Sequence, residues 1–165
     1  MSLNETIELQ PIPTGWLEQI AAGASPAGKG FIVVDGALPP PHVARRSLDH
    51  LSRGCAALWC VPFNIVTIVE RRIVGGCGFK GAPDAGVVEI GYGVAPACWR
   101  RGYALGGISQ LLELAKESAE ISQVIAHIAP DNQASSALAR RLNFSADAGL
   151  IEEDGELLVR WRRTI

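Results

Sequence analysis

The chain has 165 residues, of which 48% are hydrophobic and 19% are charged, and its formal net charge at pH 7 is −2. This size and composition exclude a disordered chain and predict one globular domain that needs no metal or disulfide to hold its core. The slightly acidic balance argues against bulk electrostatic binding of nucleic acid. Glycine is frequent, with 18 residues. A compact domain with this much glycine usually needs positions where a side chain would obstruct a close approach of the backbone, so the locations of the glycines are informative.

The sequence carries few signs of disulfides, metal ligation or membrane insertion. Four cysteines lie in apolar surroundings without paired spacing, namely Cys55, Cys60, Cys77 and Cys98. This pattern predicts buried thiols in a reducing compartment. No histidine has ligand-like spacing to them, so no metal site is expected. The amino-terminal segment lacks a basic region followed by an apolar run, and no run of 18 apolar residues occurs, so we expect a cytoplasmic protein without a leader or membrane span.

In the first half of the chain, apolar runs bounded by proline and glycine predict a strand, two helices and a series of further strands. The predicted elements are, in order, a strand over 7–10, helices over 16–22 and 42–53, and strands over 56–61, 64–70, 73–79 and 87–94. A short apolar run over 31–34 lies between the two helices. The segment 81–86 is a turn by composition.

The second half begins with the most regular helix of the chain, over 102–120, in which apolar residues recur at helical spacing. A strand over 124–129 follows, and then a helix that Asp131 or Asn132 can cap. A hairpin around 152–155 ends the chain. This order of elements favours an α/β or α+β fold with a mixed sheet.

Two glycine motifs match nucleotide-binding patterns without the context that those patterns need. Segment 23–29 matches the first seven positions of a P-loop, but Gly30 stands where Ser or Thr would ligate magnesium, and a strand-like run follows. Segment 76–81 matches GxGxxG, but a turn follows where a dinucleotide site needs a helix. We interpret the two segments as a flexible loop and a strand end. Nucleotide binding that depends on Lys29 is the alternative.

The segment 87–107 combines a strand, a tight loop with Arg100 and Arg101, and the start of a helix near Gly102. Backbone N–H groups in the first turn of a helix lack internal partners, and the helix dipole adds positive potential there. Gly102 has no side chain and that of Ala104 is small, so a ligand can reach the backbone amides of this loop. The segment therefore predicts an anion site, most naturally for a phosphate or pyrophosphate. The alternative is an ordinary strand–loop–helix junction with exposed arginines.

These residues resemble the acetyl-CoA-binding motif of the GNAT superfamily of N-acetyltransferases, (Gln/Arg)-x-x-Gly-x-(Gly/Ala). Gly102 and Ala104 stand in the fixed places, and Trp99 stands where Gln or Arg is usual. A tryptophan followed by Gly-Tyr-Ala is similar to the branch of the ribosomal-protein N-terminal alanine acetyltransferases. A second block, 130–135 with 141–144, resembles the family's Asn-x-x-Ser…Lys-Leu-Gly-Phe segment.

The resemblance implies a mixed, mostly antiparallel sheet that splays after its fourth strand, with helices on both faces. It also implies acetyl-CoA as cosubstrate and no metal. The N–H of Val94 would polarise the thioester carbonyl, the N–H groups of 100–104 would hold the pyrophosphate, and Asn132 would bind the cofactor arm or cap its helix. The implied cofactor-binding residues are Gly93, Val94, Trp99, Arg100, Arg101, Gly102, Tyr103, Ala104 and Asn132.

The catalysis that the resemblance implies is direct attack by a primary amine. Glu89 would accept the amine proton through a water; alternatively it pairs with an arginine. The position of the family's usual acidic tyrosine is Ala139 here. Ser135 would then protonate the leaving thiolate, or the thiolate leaves unprotonated. Cys98 lies in the anion loop without a nearby base, which argues against a covalent acetyl-cysteine.

The acceptor implied by the resemblance is a small-molecule amine or a peptide N-terminal amine, without a membrane or nucleic-acid partner. A homodimer is compatible with it. Because the usual tyrosine is missing, the alternative is a non-catalytic acyl-CoA-binding or interaction module on the same fold.

Overall fold

The computed structural model describes residues 6–28 and 30–165. The elements in chain order are β1 (Ile7–Pro11), α1 (Thr14–Ala21), β2 (Ile32–Val33), α2 (Pro41–Ser52), α3 (Ala57–Cys60), β3 (Phe63–Thr67), β4 (Arg72–Phe79), β5 (Val87–Val94), a 3₁₀ turn (Pro96–Cys98), α4 (Tyr103–Glu117), β6 (Gln123–Ile128), α5 (Gln133–Arg141), β7 (Ser145–Ala146), β8 (Ile151–Glu153) and β9 (Glu156–Thr164). The strands follow the order β1-β3-β4-β5-β6-β9-β7, with β2 beside β4 and β8 beside β9.

The sheet is mixed and mostly antiparallel, as predicted, with parallel pairing at β2–β4 and β5–β6. Pairing between β5 and β6 ends where Glu89 lies opposite Ile125, whereas β5 stays paired with β4 as far as Val94. The two central strands therefore diverge after Glu89. This confirms the expected splay, which follows the fourth strand when the two-residue β2 is left out of the count.

Helices cover both faces of the sheet. On one face α4 approaches β3 so closely that a Cβ on Gly107 would lie 2.7 Å from the Cδ1 of Ile65, and Leu138 of α5 lines a small cavity together with α4. On the other face α1 and α2 pack against each other over a separate apolar cluster that contains the fully buried Leu17 and Ala44. A side chain at position 107 would push α4 off the sheet, which explains one glycine in this helix.

The prediction of a strand over 56–61 is wrong, because α3 occupies Ala57–Cys60. A strand here would find no free edge, since β3 is already paired with β1 on one side and β4 on the other. Instead Trp59 is buried and packs edge-on against Phe79, with the ring centroids 4.9 Å apart. Periodicity alone does not separate a buried helical turn from a strand in so short an apolar run.

Neither glycine motif has the structural context of a nucleotide site. Segment 23–28 leads from α1 to the short β2, so a strand follows it, and Lys29 lies outside the described residues. A Cβ on Gly28 would lie 2.5 Å from the ring of Trp16, which accounts for a glycine there by packing. Segment 76–81 forms the end of β4 and the start of a turn. The strand-end interpretation is confirmed.

The four cysteines are free thiols. The predicted burial is confirmed for Cys60, Cys77 and Cys98 and is wrong for Cys55, which is only partly buried. Burial raises the pKa of the Cys77 thiol to about 12, so this thiol is inert at neutral pH. Among residues 6–28 and 30–165, no helix combines the length and apolar character that crossing a bilayer requires.

Candidate functional site

The divergence of β5 from β6 opens a cleft of about 560 Å³ between the sheet, α2, the start of α5 and the start of β9. Its floor contains four glycines of β4 and β5, namely Gly76, Gly78, Gly91 and Gly93. A Cβ on Gly93 would meet no described atom within 4 Å, so this position opens directly into the cleft. The floor therefore presents backbone to any ligand that enters.

The edge of β5 that faces this cleft has backbone groups available for pairing. The N–H of Lys80 in the turn after β4 donates to the carbonyl of Glu89 at 2.8 Å, so the polar groups of Glu89 face β4. Because these groups alternate in direction along a strand, those of Val94, five residues later, face the gap, where its N–H is unpaired among the described residues and its carbonyl accepts from the indole of Trp99. An edge of this kind binds an extended amide chain by strand addition. The predicted role of the Val94 N–H as an oxyanion donor is consistent with this direction.

The loop after β5 ends in a helix whose N-terminus has no acidic residue in its first turn and no side-chain cap within the described part of the chain. Gly102 is the N-cap residue and adopts a left-handed conformation with φ of 81°. The first helical bond joins the N–H of Gly106 to the carbonyl of Gly102 at 3.0 Å. The N–H groups of Ala104 and Leu105 therefore precede the helical hydrogen-bonding pattern and are oriented to bind an anion.

The four side chains considered in this loop differ in exposure and in their partners. The indole N–H of Trp99 donates to the carbonyl of Val94 at 2.8 Å, although 62% of the residue is exposed. Trp99 thus fastens the loop to the end of β5. Arg100 and Arg101 are exposed. Cys98 is 1% exposed, which removes it as a nucleophile.

Glu89 lies at the point of divergence and accepts two hydrogen bonds on one oxygen. Its Oε1 accepts from the Nζ of Lys80 at 2.9 Å and lies 2.9 Å from the Nδ1 of His127. The Nε of Arg160 donates to the Nε2 of His127 at 3.2 Å. Because an arginine Nε only donates, the neutral imidazole must carry its hydrogen on Nδ1. The Lys80 and His127 donors therefore both bond Oε1 of Glu89. Among the described side chains, none bonds Oε2.

The electrostatics keep the Glu89 carboxylate ionised. Burial alone would raise its pKa, but the hydrogen bonds and charges of Lys80 and His127 outweigh burial and lower the pKa below its usual value. The expected alternative, a pair with an arginine, is wrong in its partner, since the ion pair is with Lys80. Sequence reasoning missed Lys80, His127 and Arg160, because their meeting depends on the registers of four strands and no local motif marks it.

A second acidic group, Glu153 from β8, lies near this cluster, with its Oε2 3.7 Å from the Nδ1 of His127. The carboxylates and the imidazole stand within 4.8 Å of one another, a spacing that suits a shared cation. However, the ammonium of Lys80 is 2.9 Å from the same Glu89 oxygen, and Arg160 holds the other imidazole nitrogen. Hydrogen bonding and charge pairing already account for the cluster, and we assign no metal to it.

On the far side of the gap, Asn132 and Ser135 lie at the start of α5. The Oδ1 of Asn132 accepts from the N–H of Ser135 at 3.1 Å, which confirms Asn132 as a helix cap. Ser135 and Tyr92 of β5 both line the cleft, and Ser135 is close enough to the phenol to affect its pKa. Burial raises the pKa of Tyr92, with Ser135 acting in the opposite direction. Tyr92 and Ala139 line the same small cavity, so a phenol from β5 lies beside the position where the family's tyrosine is absent.

The remaining walls of the cleft come from α2 and β9, for which the sequence offered no motif. On the α2 side these walls include Val43 and Arg46, and on the β9 side they include Glu156 and Leu158. This half of the cleft is thus lined by side chains of both charges and by apolar groups.

Comparison with known proteins gives one family. The acetyltransferase (GNAT) domain family matches residues 38–145, about two thirds of the chain. An uncharacterized N-acetyltransferase of Bacillus subtilis, YjdG, is 34% identical over 81 residues, which make up 48% of each protein. The chain spans about half the length of the curated relatives it matches.

Solved structures share the fold. RimL, a ribosomal L7/L12 alpha-N-protein acetyltransferase in complex with coenzyme A, gives a TM-score of 0.66 at 19% identity, covering 97% of this chain and 94% of that chain. Mycobacterium smegmatis RimJ in complex with CoA-disulfide gives 0.67 at 16% identity, covering 96% and 81%.

Proposed function

Since the chain belongs to the GNAT family of acetyltransferases, we propose that it transfers the acetyl group of acetyl-CoA to a primary amine by direct attack. The observation that carries this proposal is the succession of three features on β5 and on the helix that follows it. An open strand edge on β5, an uncapped helix N-terminus on α4 and an ionised carboxylate at Glu89 lie where an arm, a pyrophosphate and an amine would each need them. RimL and RimJ contain coenzyme A on the same fold, which supports acetyl-CoA as cosubstrate.

On the cofactor side we assign binding to backbone groups. The N–H of Val94 would donate to the thioester oxygen as charge develops there, and the N–H groups at Ala104 and its neighbours would hold the pyrophosphate. Gly93 would leave room for the arm, and the exposed Arg100 and Arg101 would add phosphate contacts. The other assigned cofactor residues are Trp99, Gly102, Tyr103 and Asn132.

On the amine side we assign Glu89 as the proton acceptor, acting through a water at its unbonded Oε2. A carboxylate with a lowered pKa is a weak base, and the attacking amine must already be neutral, because an ammonium has no electron pair to donate. The carboxylate becomes an adequate acceptor during attack, because the nitrogen's protons grow far more acidic as the new C–N bond forms. The nitrogen electron pair adds to the thioester carbon, and the displaced proton leaves toward Glu89.

For the leaving group we assign Ser135 as the proton donor, with Tyr92 as the group that supplies it. When the C–S bond breaks, the sulfur takes the electron pair and a proton from the Ser135 hydroxyl. A phenol is protonated at neutral pH and burial raises the pKa of Tyr92 further, so its hydroxyl is available to donate to Ser135 in turn. The absence of a tyrosine at position 139 therefore does not remove acid catalysis.

For the acceptor we propose the α-amine of a peptide or protein N-terminus. Two solved structures with this fold are ribosomal-protein acetyltransferases by name, including RimL, which acts on the α-amine of L7/L12. The cleft is also lined by apolar and charged side chains along its α2–β9 half, which suits a peptide segment.

The test combines calorimetry with acetyl-CoA and thiol release against a panel of N-terminal peptides and polyamines. We expect binding, thiol release with peptides, and a loss of turnover of about a hundredfold in Glu89→Gln with little change in cofactor affinity. Glu18→Gln, an exposed carboxylate of α1, is the matched control and should behave as wild type.

Absence of binding at millimolar acetyl-CoA would refute the proposed use of acetyl-CoA. Binding without thiol release against any amine would instead indicate a non-catalytic module, and unchanged turnover in Glu89→Gln would remove Glu89 from the mechanism.

A further inference from the structure

Arg46 stands apart from the other cations of the cleft. It lies on α2, lines the cleft and is half-buried. Within residues 6–28 and 30–165 its guanidinium has neither an ion pair nor a hydrogen bond. Its neighbour Arg45 is exposed, does not line the cleft and donates to the carbonyl of Ala21 at 3.2 Å. The two adjacent arginines thus face different surroundings.

A partly buried guanidinium without an anion is unusual on energetic grounds. Taking a charge out of water costs free energy unless a partner of opposite charge compensates for it. The planar guanidinium offers parallel N–H groups that match a carboxylate in a two-pronged contact. The position therefore fits a site in which the anion arrives with a ligand.

Among the described residues, no charged side chain of the cleft pairs with Arg46. Lys80 is a second cation that lines the cleft, and its ammonium is already paired with Glu89. Glu156 on the opposite wall forms no ion pair with Arg46 in the described structure, so the two are more than 4 Å apart. The hydroxyl of Ser47, next to Arg46, donates back to the carbonyl of Val43 at 3.1 Å. The α2 wall thus presents one unengaged cation beside apolar side chains.

We propose that Arg46 binds a carboxylate of the acceptor, so that the preferred substrate carries an acidic group close to its reactive amine. This inference rests on the proposed function and narrows its acceptor class. The carboxylate has two chemical sources, namely an Asp or Glu side chain near a peptide N-terminus and the α-carboxylate of a free amino acid. Either source places the anion on α2 while the amine lies near Glu89.

The experiment compares acetylation of amidated peptides that start with alanine and carry Asp, Ala or Lys at the second, third or fourth position. Free alanine and alaninamide form the second arm, which separates the two carboxylate sources. We expect wild type to favour the acidic member of at least one set by about tenfold to a hundredfold in kcat/KM, mainly through KM. Arg46→Glu should invert that preference toward lysine, and Arg46→Met should abolish it. Arg45→Glu should keep it.

Inversion in Arg46→Glu supports the proposal even if that variant is less stable, because lost stability lowers all rates together. Equal preferences in wild type and Arg46→Glu, with acetyl transfer intact, would overturn the Arg46 proposal and leave the proposed function standing. If no amine is acetylated, the same peptides are titrated into the CoA-loaded protein by calorimetry. Tighter binding of acidic peptides that is lost in Arg46→Glu then still supports the subsite, whereas equal binding overturns it.

Discussion

The two halves of the cleft are built from different parts of the chain. The half formed by β5, together with the start of α4 that follows it along the chain, offers backbone groups, namely the open strand edge at Val94 and the N–H groups of the first turn of α4. The half formed by α2, β6 and β9 offers polar and charged side chains, including Arg46 and His127. Backbone sites depend on where side chains are small, whereas side-chain sites depend on which residues meet in space.

Ten of the 18 glycines fall between Gly75 and Gly107, and this difference explains their concentration there. In the β5–α4 half, Gly93 opens into the cleft and Gly102 adopts a left-handed conformation at the helix cap. Others serve packing alone, such as Gly75, where a Cβ would lie 2.4 Å from the carbonyl oxygen of Gly93. The excess of glycine thus reflects both an exposed backbone surface and a close contact between neighbouring strands.

The sharpest test of the backbone half is Gly93→Val. Position 93 has room for a side chain and an ordinary strand conformation, so valine should fold without strain and suit the strand. The side chain would nevertheless occupy the cleft, and we expect coenzyme A affinity to fall by about a hundredfold. Calorimetry and thermal unfolding measure the two effects separately. Gly15→Val, also at an open position but on α1, is the control, and unchanged affinity in Gly93→Val would place the cofactor arm elsewhere.

A smaller effect is expected where the two halves meet, at Ser135 and Tyr92. Ser135→Ala should lower kcat by about tenfold, less than a typical general acid, because an alkyl thiolate is already a fair leaving group. The helix cap survives this change, since Asn132 accepts from the backbone N–H of residue 135. Tyr92→Phe should reduce kcat similarly, and the double variant should lose little more, since the two hydroxyls act in one chain. Ser136→Ala is the control; equal losses at 135 and 136 would count against Ser135 as the donor.

Much of the fold and of the backbone half could be predicted from sequence. The anion loop was visible because a strand, a glycine-bearing turn and a regular helix follow one another within about 20 residues, and local patterns encode each of them. Asn132 was identified as a cap for the same reason. Helix α3 was missed because its short apolar sequence also fits a strand. The paired edges of β3, which leave no place for a strand there, are known only from the structure.

The side-chain half of the cleft could not be predicted from the sequence, because its residues are far apart along the chain. Lys80, Glu89, His127 and Arg160 belong to four segments spread over 80 residues, and they meet through strand pairing. His127 lies two residues beyond Ile125, where the pairing of β5 and β6 ends, and Arg160 lies opposite His127 on β9. A one-residue shift in either register would turn these side chains to the other face. No motif in a single sequence specifies that register.

The smallest expected effect tests this network through the pH dependence of His127 variants. His127→Leu removes one of the donors that lower the pKa of Glu89, so that pKa should rise while burial continues to raise it. The acidic limb of kcat/KM should then move to higher pH, with activity at its foot lower by roughly threefold. Acid unfolding should begin at higher pH as well, because the stability gained from ionised Glu89 is lost as pH falls through its folded-state pKa.

His127→Asn can donate from its amide to Oε1 and should restore most of both properties, which a role of His127 as the base itself would not allow. An asparagine variant as inactive as the leucine variant would therefore contradict the positioning role, as would an imidazole whose hydrogen resides on Nε2 in ¹⁵N NMR spectra.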